Sequence, residues 1–323
     1  MAMRSIVCLS LAAAVAVPLY AHAQEFTPTG DRILSDPTYL PLHGQIYGQS
    51  GYSYERTNGA IFDSTGAYIA STRNTLNAFG QDFAYGITDA LSVNLGIAYG
   101  FGTASNASST TVNATNREGF ENPTFGATYR VLDQRTHPLS FDIFGDYSPD
   151  AIASRSASPT QDGAVARGGG EGDFGFALGR ETHAFTIRGA FTDRYLGGSS
   201  TLNSTTGTST DTASYWVQSL SVQTQARFTP RLSANVAYAY NFQGSPNVVD
   251  TGSGVVFADH IGNNQDINAS LNYHIIPNRL VGSVGYQHTF YDDRNEIFAD
   301  PVDDILQTRS GNTYSATLRY VFR

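Results

Sequence analysis

Four charged residues in the middle of the chain have types and spacing that could do chemistry together: Asp142, Asp146, Asp173 and Arg188. In extended segments each falls on the face occupied by small and polar residues, so all four would project to one side of a sheet. Counting up from the nearest turns sets Asp142 level with Arg188 and places Asp146 and Asp173 one step higher. Gly175, Ala177 and Gly179 between them leave room. Charges lining a water path sort solutes by sign. The same four groups, paired with one another, would only brace a wall.

Other candidates are weaker. Ser270 and His274 share one face, but four residues of extended chain hold them too far apart for a nucleophile and its base. The acidic run Asp292, Asp293, Glu296, Asp300, Asp303 and Asp304 offers oxygen ligands, yet it lacks the regular spacing of a calcium loop, and a solvated loop is the simpler reading. The run Gly168, Gly169, Gly170, Glu171, Gly172 has no helix or positioned Lys after it to make a phosphate site. No catalytic residue, metal or cofactor is expected.

The elements that must hold the four charges are strands. In Leu91–Phe101 every odd position (Leu91, Val93, Leu95, Ile97, Tyr99, Phe101) is large and apolar, and every even one is Ser, Asn, Ala or Gly. A period of two separates these sets onto opposite faces. The pattern recurs in segments near 44–56, 74–85, 120–131, 139–147, 172–180, 185–191, 215–228, 232–242, 267–275, 280–291 and 314–322, giving twelve strands. Connections after the even-numbered strands are tight turns, and those after the odd-numbered ones are long and rich in Ser, Thr, Asn, Gly and Asp. That rhythm predicts an all-β fold: a twelve-stranded antiparallel transmembrane β-barrel with short periplasmic turns and long extracellular loops. Hydrocarbon offers no partner to a free backbone amide, so strand twelve must close on strand one. A soluble sandwich or propeller would explain the alternation but not the short-long rhythm.

The inner face then reads Asn94, Thr128, Arg130, Gln223, Gln225, Asn235, Asn268, Asn272, His274 and Arg319, beside the four charges. Such groups would be very costly in a dry core, which implies water inside.

Residues 1–23 read as a secretory signal peptide: Arg4, an apolar run from Ile6 to Val17, and a small-x-small ending at Ala21 and Ala23. Residues 24–42, with Pro28, Pro37 and Pro41 and no alternation, form an irregular segment positioned to plug the lumen of a barrel domain spanning 43–323. The single cysteine, Cys8, falls in the leader, so backbone ladders and not disulfides must hold the fold. With 19 Lys plus Arg against 28 Asp plus Glu, a net charge of −9, nucleic acid is an unsuitable partner.

Two stretches resemble a family of outer-membrane barrels known as meta-pathway phenol-degradation proteins or transporters. One is Tyr85, Gly86, Ile87, Thr88, Asp89, Ala90, Leu91, Ser92, Val93. The other is Gly119, Phe120, Glu121, Asn122, Pro123, Thr124, Phe125, Gly126, Ala127, Thr128, Tyr129, Arg130, where the family usually has Gly-Asp in place of Glu121 and Asn122. The resemblance implies an outer-membrane location and uptake of hydrophobic or aromatic compounds. The closing strand, with Tyr314, Leu318, Tyr320 and Phe322 alternating before Arg323, is similar to the signal by which barrel-assembly machinery recognises its clients.

The expected function is therefore that of a passive channel or facilitator for small molecules, in contact with outer-membrane lipid, the assembly machinery and its solutes. The alternative is a structural or surface-interaction barrel with a plugged lumen.

Overall fold

The computed structural model describes residues 32–108, 112–156, 162–182, 184–203, 206–298 and 304–322. The leader, residues 24–31, His183, Asp300, Asp303 and Arg323 lie outside them. The wall consists of Ile46–Phe62, Tyr68–Gly86, Leu91–Ser108, a fourth strand in two pieces (Val112–Phe120 and Thr124–Leu132), Ser140–Ser148, Glu171–Glu181, Phe185–Leu196, Tyr215–Thr229, Leu232–Gln243, Asn264–Ile276, Leu280–Tyr291 and Ile305–Phe322. These are strands one to twelve. Each pairs antiparallel with the next. Strand one then pairs with strand twelve from Ile46↔Phe322 to Phe62↔Leu306, which closes the cylinder. The twelve-stranded antiparallel barrel expected from the periodicity is the fold observed.

Burial is inverted relative to a soluble protein. Ser92, Arg130, Ser140, Asp142, Thr186, Gln225, Ser233, Asn235, Asn272 and His274 are buried, while Ile97, Phe125, Leu220, Leu271 and Val284 are exposed. Two stacked sheets would interleave those apolar side chains; here they cover the outside of a closed wall, the surface a lipid bilayer demands. Turns are built locally. Thr88 Oγ1 accepts from the amides of Ala90 (3.1 Å) and Leu91 (2.9 Å) between strands two and three. Asn278, at φ 55°, adopts the left-handed conformation that Asn tolerates between strands ten and eleven.

Three features differ from the sequence reading. The polar connection after strand one is mostly ladder, since strands one and two stay paired out to Phe62↔Tyr68. Above the lipid either face tolerates polar residues, so alternation fades while hydrogen bonding continues. Strand four is interrupted at 121–123, where Pro123 has no N–H to give. Its outer piece bonds on its free edge to the connection after strand five: Glu118 N donates to Gly163 O (2.8 Å) and Gly163 N to Asn116 O (2.9 Å). Finally, Phe144 points inward, and its ring fills the space over Gly175 that was read as vacant.

Candidate functional site

The lumen is organised in three levels, and the four sequence-selected charges fall on two of them. At the periplasmic level, residues 33–42 lie inside the barrel. Leu34, Ser35, Asp36, Thr38 and Leu40 are all buried. An aperiodic stretch has no strand to join, so its polar groups must find partners on the wall. Asp36 does so most fully: its Oδ2 accepts from Thr186 Oγ1 (2.6 Å) and from the Arg227 guanidinium, while Oδ1 turns back to Thr38 N (3.0 Å) and Oγ1 (2.9 Å). Arg227 also reaches Glu181 Oε1 at 2.8 Å. Ser35 Oγ lies 3.0 Å from His274 Nε2 and accepts from Gln225 Nε2 at 2.6 Å.

Outside the wall strands, Arg32 Nη2 donates to Asp89 O (2.8 Å) and to Asp133 Oδ2 (3.1 Å). Burial alone would push the Asp133 carboxyl up, but bonds from the Arg135 guanidinium and amide, with nearby positive charge, hold it well below the usual carboxylate range. Burial beside Tyr47 pushes the Tyr39 phenol up to about 12.

Asp142 belongs to this level. Arg130 Nε and Nη2 donate to its two oxygens at 2.8 and 3.0 Å, and Nη2 also donates to Thr38 O at 2.5 Å. Counting along the strands sets Asp142 and Arg188 at similar heights. The register places Arg188 opposite Gly179 and Asp142 opposite Ala177, one step apart, and the Arg188 guanidinium lies 6.0 Å from the Phe144 ring centroid.

The middle level holds Asp146 and Asp173, which face each other across strands five and six as the counting implied. Asp146 accepts from Asn94 Nδ2 at 2.8 Å. It can do so because Gly126 lies beneath it, where a Cβ would come within 1.8 Å of Asp146 Oδ1. Asp173 is held by Arg194 through two bonds of 2.8 and 2.9 Å.

Above that level a cavity of about 430 Å³ opens into the outer half of the lumen, lined by Glu55, Thr192, Arg194, Ser219, Asn241, Asp266, Gln287, Thr289, Tyr291 and Thr313 among others. Asp266 accepts from Thr289 Oγ1 (2.6 Å), Asn241 Nδ2 (2.9 Å) and Gln287 Nε2 (3.1 Å). At the rim Arg294 is bidentate to Asp259 (2.6 and 2.7 Å), and the Arg309 guanidinium covers the Tyr291 ring at 4.7 Å. A second cavity, of about 460 Å³, lies at the periplasmic mouth between Tyr39, Leu42, Arg279 and Phe322.

Sequence reasoning missed Asp36, Arg227, Glu55 and Asp266. Arg227, Glu55 and Asp266 were within reach of parity, since Arg227 continues the inward series Gln223, Gln225 and Asp266 precedes Asn268 on its face. Asp36 carries no periodic signal at all. Ser270 and His274 are not brought together; the serine that His274 meets is Ser35, which is buried and shares its oxygen with Gln225. That pair is a docking contact, with no orienting carboxylate on the imidazole among the described residues. In the acidic run Glu296 pairs with Arg294 (3.3 Å) and Asp304 Oδ1 accepts from Phe298 N (2.9 Å). Among the described residues no three His, Cys, Asp or Glu side chains converge to hold a metal.

The barrel has known counterparts in structure. An outer-membrane channel from Pseudomonas putida F1 matches with a TM-score of 0.56 at 12% identity, over 91% of this chain and 98% of that one. More distant are the transport unit of the Escherichia coli autotransporter AIDA-I (0.49, 11% identity, 90% and 95% of the two chains) and the P. putida toluene transporter TodX (0.48, 10%, 90% and 93%). No protein-family model matches the chain, and a search of curated proteins finds none similar in sequence. At these identities the likeness is one of architecture, so the resemblance to the phenol-pathway barrels has support only at its broadest level. In fold, the chain is an outer-membrane β-barrel.

Proposed function

We propose that the protein is a passive channel for small molecules whose periplasmic end is gated by its own residues 33–42. The observation that carries this reading is the polar-walled cavity of about 430 Å³ standing above a segment that is tied to the wall largely by hydrogen bonds and ion pairs. A polar wall is wetted, and water can replace bonds that contribute about 0.5–1.5 kcal/mol between neutral groups and about 1.5–3 kcal/mol where one partner is charged, as at Asp36. A segment so held can leave and return. Asp146 and Asp173, with Arg194, give the middle of the lumen its charge pattern, and Arg188 stands below them, one step to the periplasmic side of Asp142. Asp142 adds little to that pattern, being neutralised by Arg130. The hydrophobic or aromatic cargo implied by the family resemblance would meet hydroxyls, amides and carboxylates in the cavity, which favours aromatic compounds that also carry polar groups.

The second reading, a structural barrel with a permanent plug, draws on the same contacts of Asp36 and Ser35. Single-channel recording in planar bilayers separates the two. The gated channel predicts brief openings in the intact chain and steady conductance in a chain lacking residues 24–42. Silence in both at every voltage would favour the structural barrel.

A further inference from the structure

We propose that the outward face of strands eleven, twelve, one and two carries a docking site for the phosphorylated headgroup of an anionic lipid, with Arg56 and Arg73 as its phosphate ligands. Height comes first. Ile46 is the lowest outward residue of strand one, and Arg56 is ten positions further on the same face. Ten residues at about 3.3 Å each, on a strand tilted roughly 40°, rise about 25 Å, which is the height of the apolar band of an outer-membrane barrel. Arg73 stands opposite Asn58, one step higher again. Both guanidinium groups therefore emerge where hydrocarbon gives way to headgroups, at the end of the barrel that carries the long loops.

The rows beneath them support the assignment. Tyr286, Tyr314 and Tyr54 face outward in a single cross-strand row, with ring centroids 5.3 and 6.4 Å apart. Tyrosines in such a row mark the membrane interface. The next row up is His288, Asn312 and Arg56, the imidazole Nδ1 lying 2.9 Å from Asn312 Oδ1.

Among the arginines of the described wall strands, Arg56 and Arg73 face outward at the outer end of this side, and the other outward one, Arg180, stands at the periplasmic end of strand six. Arg130, Arg194, Arg227 and Arg294 each hold a carboxylate. Arg56 and Arg73 hold none among the described residues; Arg56 spends only its Nε, on Asn58 Oδ1 at 3.1 Å. The outward positions of these four strands include no Asp or Glu, so no carboxylate on this face competes for the two arginines. Two unpaired guanidinium groups on adjacent strands, beside an imidazole and above a tyrosine row, match a phosphate carried at headgroup depth. The proposal does not depend on whether the lumen conducts.

The test is retention of diphosphoryl lipid A by the full chain in neutral detergent, read by native mass spectrometry. Folding of every variant is checked by its heat-dependent gel mobility. The intact chain and the distant outward variant Arg180→Gln are expected to bind alike, and Arg56→Gln/Arg73→Gln about tenfold more weakly. Arg56→Lys/Arg73→Lys should fall between, because an ammonium keeps the charge and loses the fork. Millimolar inorganic phosphate should not displace the lipid. Equal binding by the Gln pair, or full displacement by phosphate alone, would overturn the lipid site.

Discussion

Arg130 is only 6% exposed, wedged between Asp142 and the carbonyl of Thr38, so it serves the wall and the inserted segment together. Removing it would strand a buried carboxylate. Arg130→Ala is expected to cost about 3 kcal/mol, measured by denaturant unfolding in lipid vesicles, and the pair Arg130→Met/Asp142→Leu should recover most of it. A single variant as stable as the intact chain would show that lumen water already satisfies Asp142. Both partners were readable as inward residues from parity. Their pairing was not, because parity orders residues along one strand while the register between strands depends on shear. Arg188, read at a similar height to Asp142, lies one register step from it. Asp173 and Arg194, directly opposite on neighbouring strands, form the kind of pair that a correct register would have revealed.

At the scale of the element, the inserted segment and the long strands were unequally legible. Strand existence could be read wherever lipid enforces one greasy face, as in Leu91–Phe101. The same strand continues to Ser108 through Thr103, Ser105 and Asn106, where that pressure is absent and the pattern disappears. Residues 33–42 have no period, and only the chemistry of the wall shows where they go. Their backbone approaches the wall closely at Gly86: a Cβ there would lie 2.0 Å from the Leu42 carbonyl oxygen, and Gly44 N donates to Gly86 O at 2.8 Å. Gly86→Ala should therefore push the segment off the wall without disturbing the strands. Hydrogen exchange of the amides in 33–42 is expected to accelerate about tenfold, with the barrel amides unchanged. Unchanged exchange in 33–42 would mean that the segment adapts without leaving.

For the molecule as a whole, the decisive property is which side of the wall is wet. Leu95 and Asn94 are neighbours on opposite sides of strand three, Leu95 40% exposed toward lipid and Asn94 bonded to Asp146 inside. Leu95→Arg is expected to destabilise the barrel by about 2–4 kcal/mol, whereas Asn94→Arg, beside a carboxylate and water, should be nearly neutral in the same unfolding measurement. Equal costs would mean that the two faces are misassigned. The zipper between Ile46–Phe62 and Ile305–Phe322 also restricts how such a protein can change bore. An up-and-down ring whose first and last members run antiparallel has even parity, so removing one member would leave the ends running the same way. To keep that antiparallel seam, a wider or narrower descendant must gain or lose two staves at once, together with the turn that joins them, because a single change would leave a parallel closure.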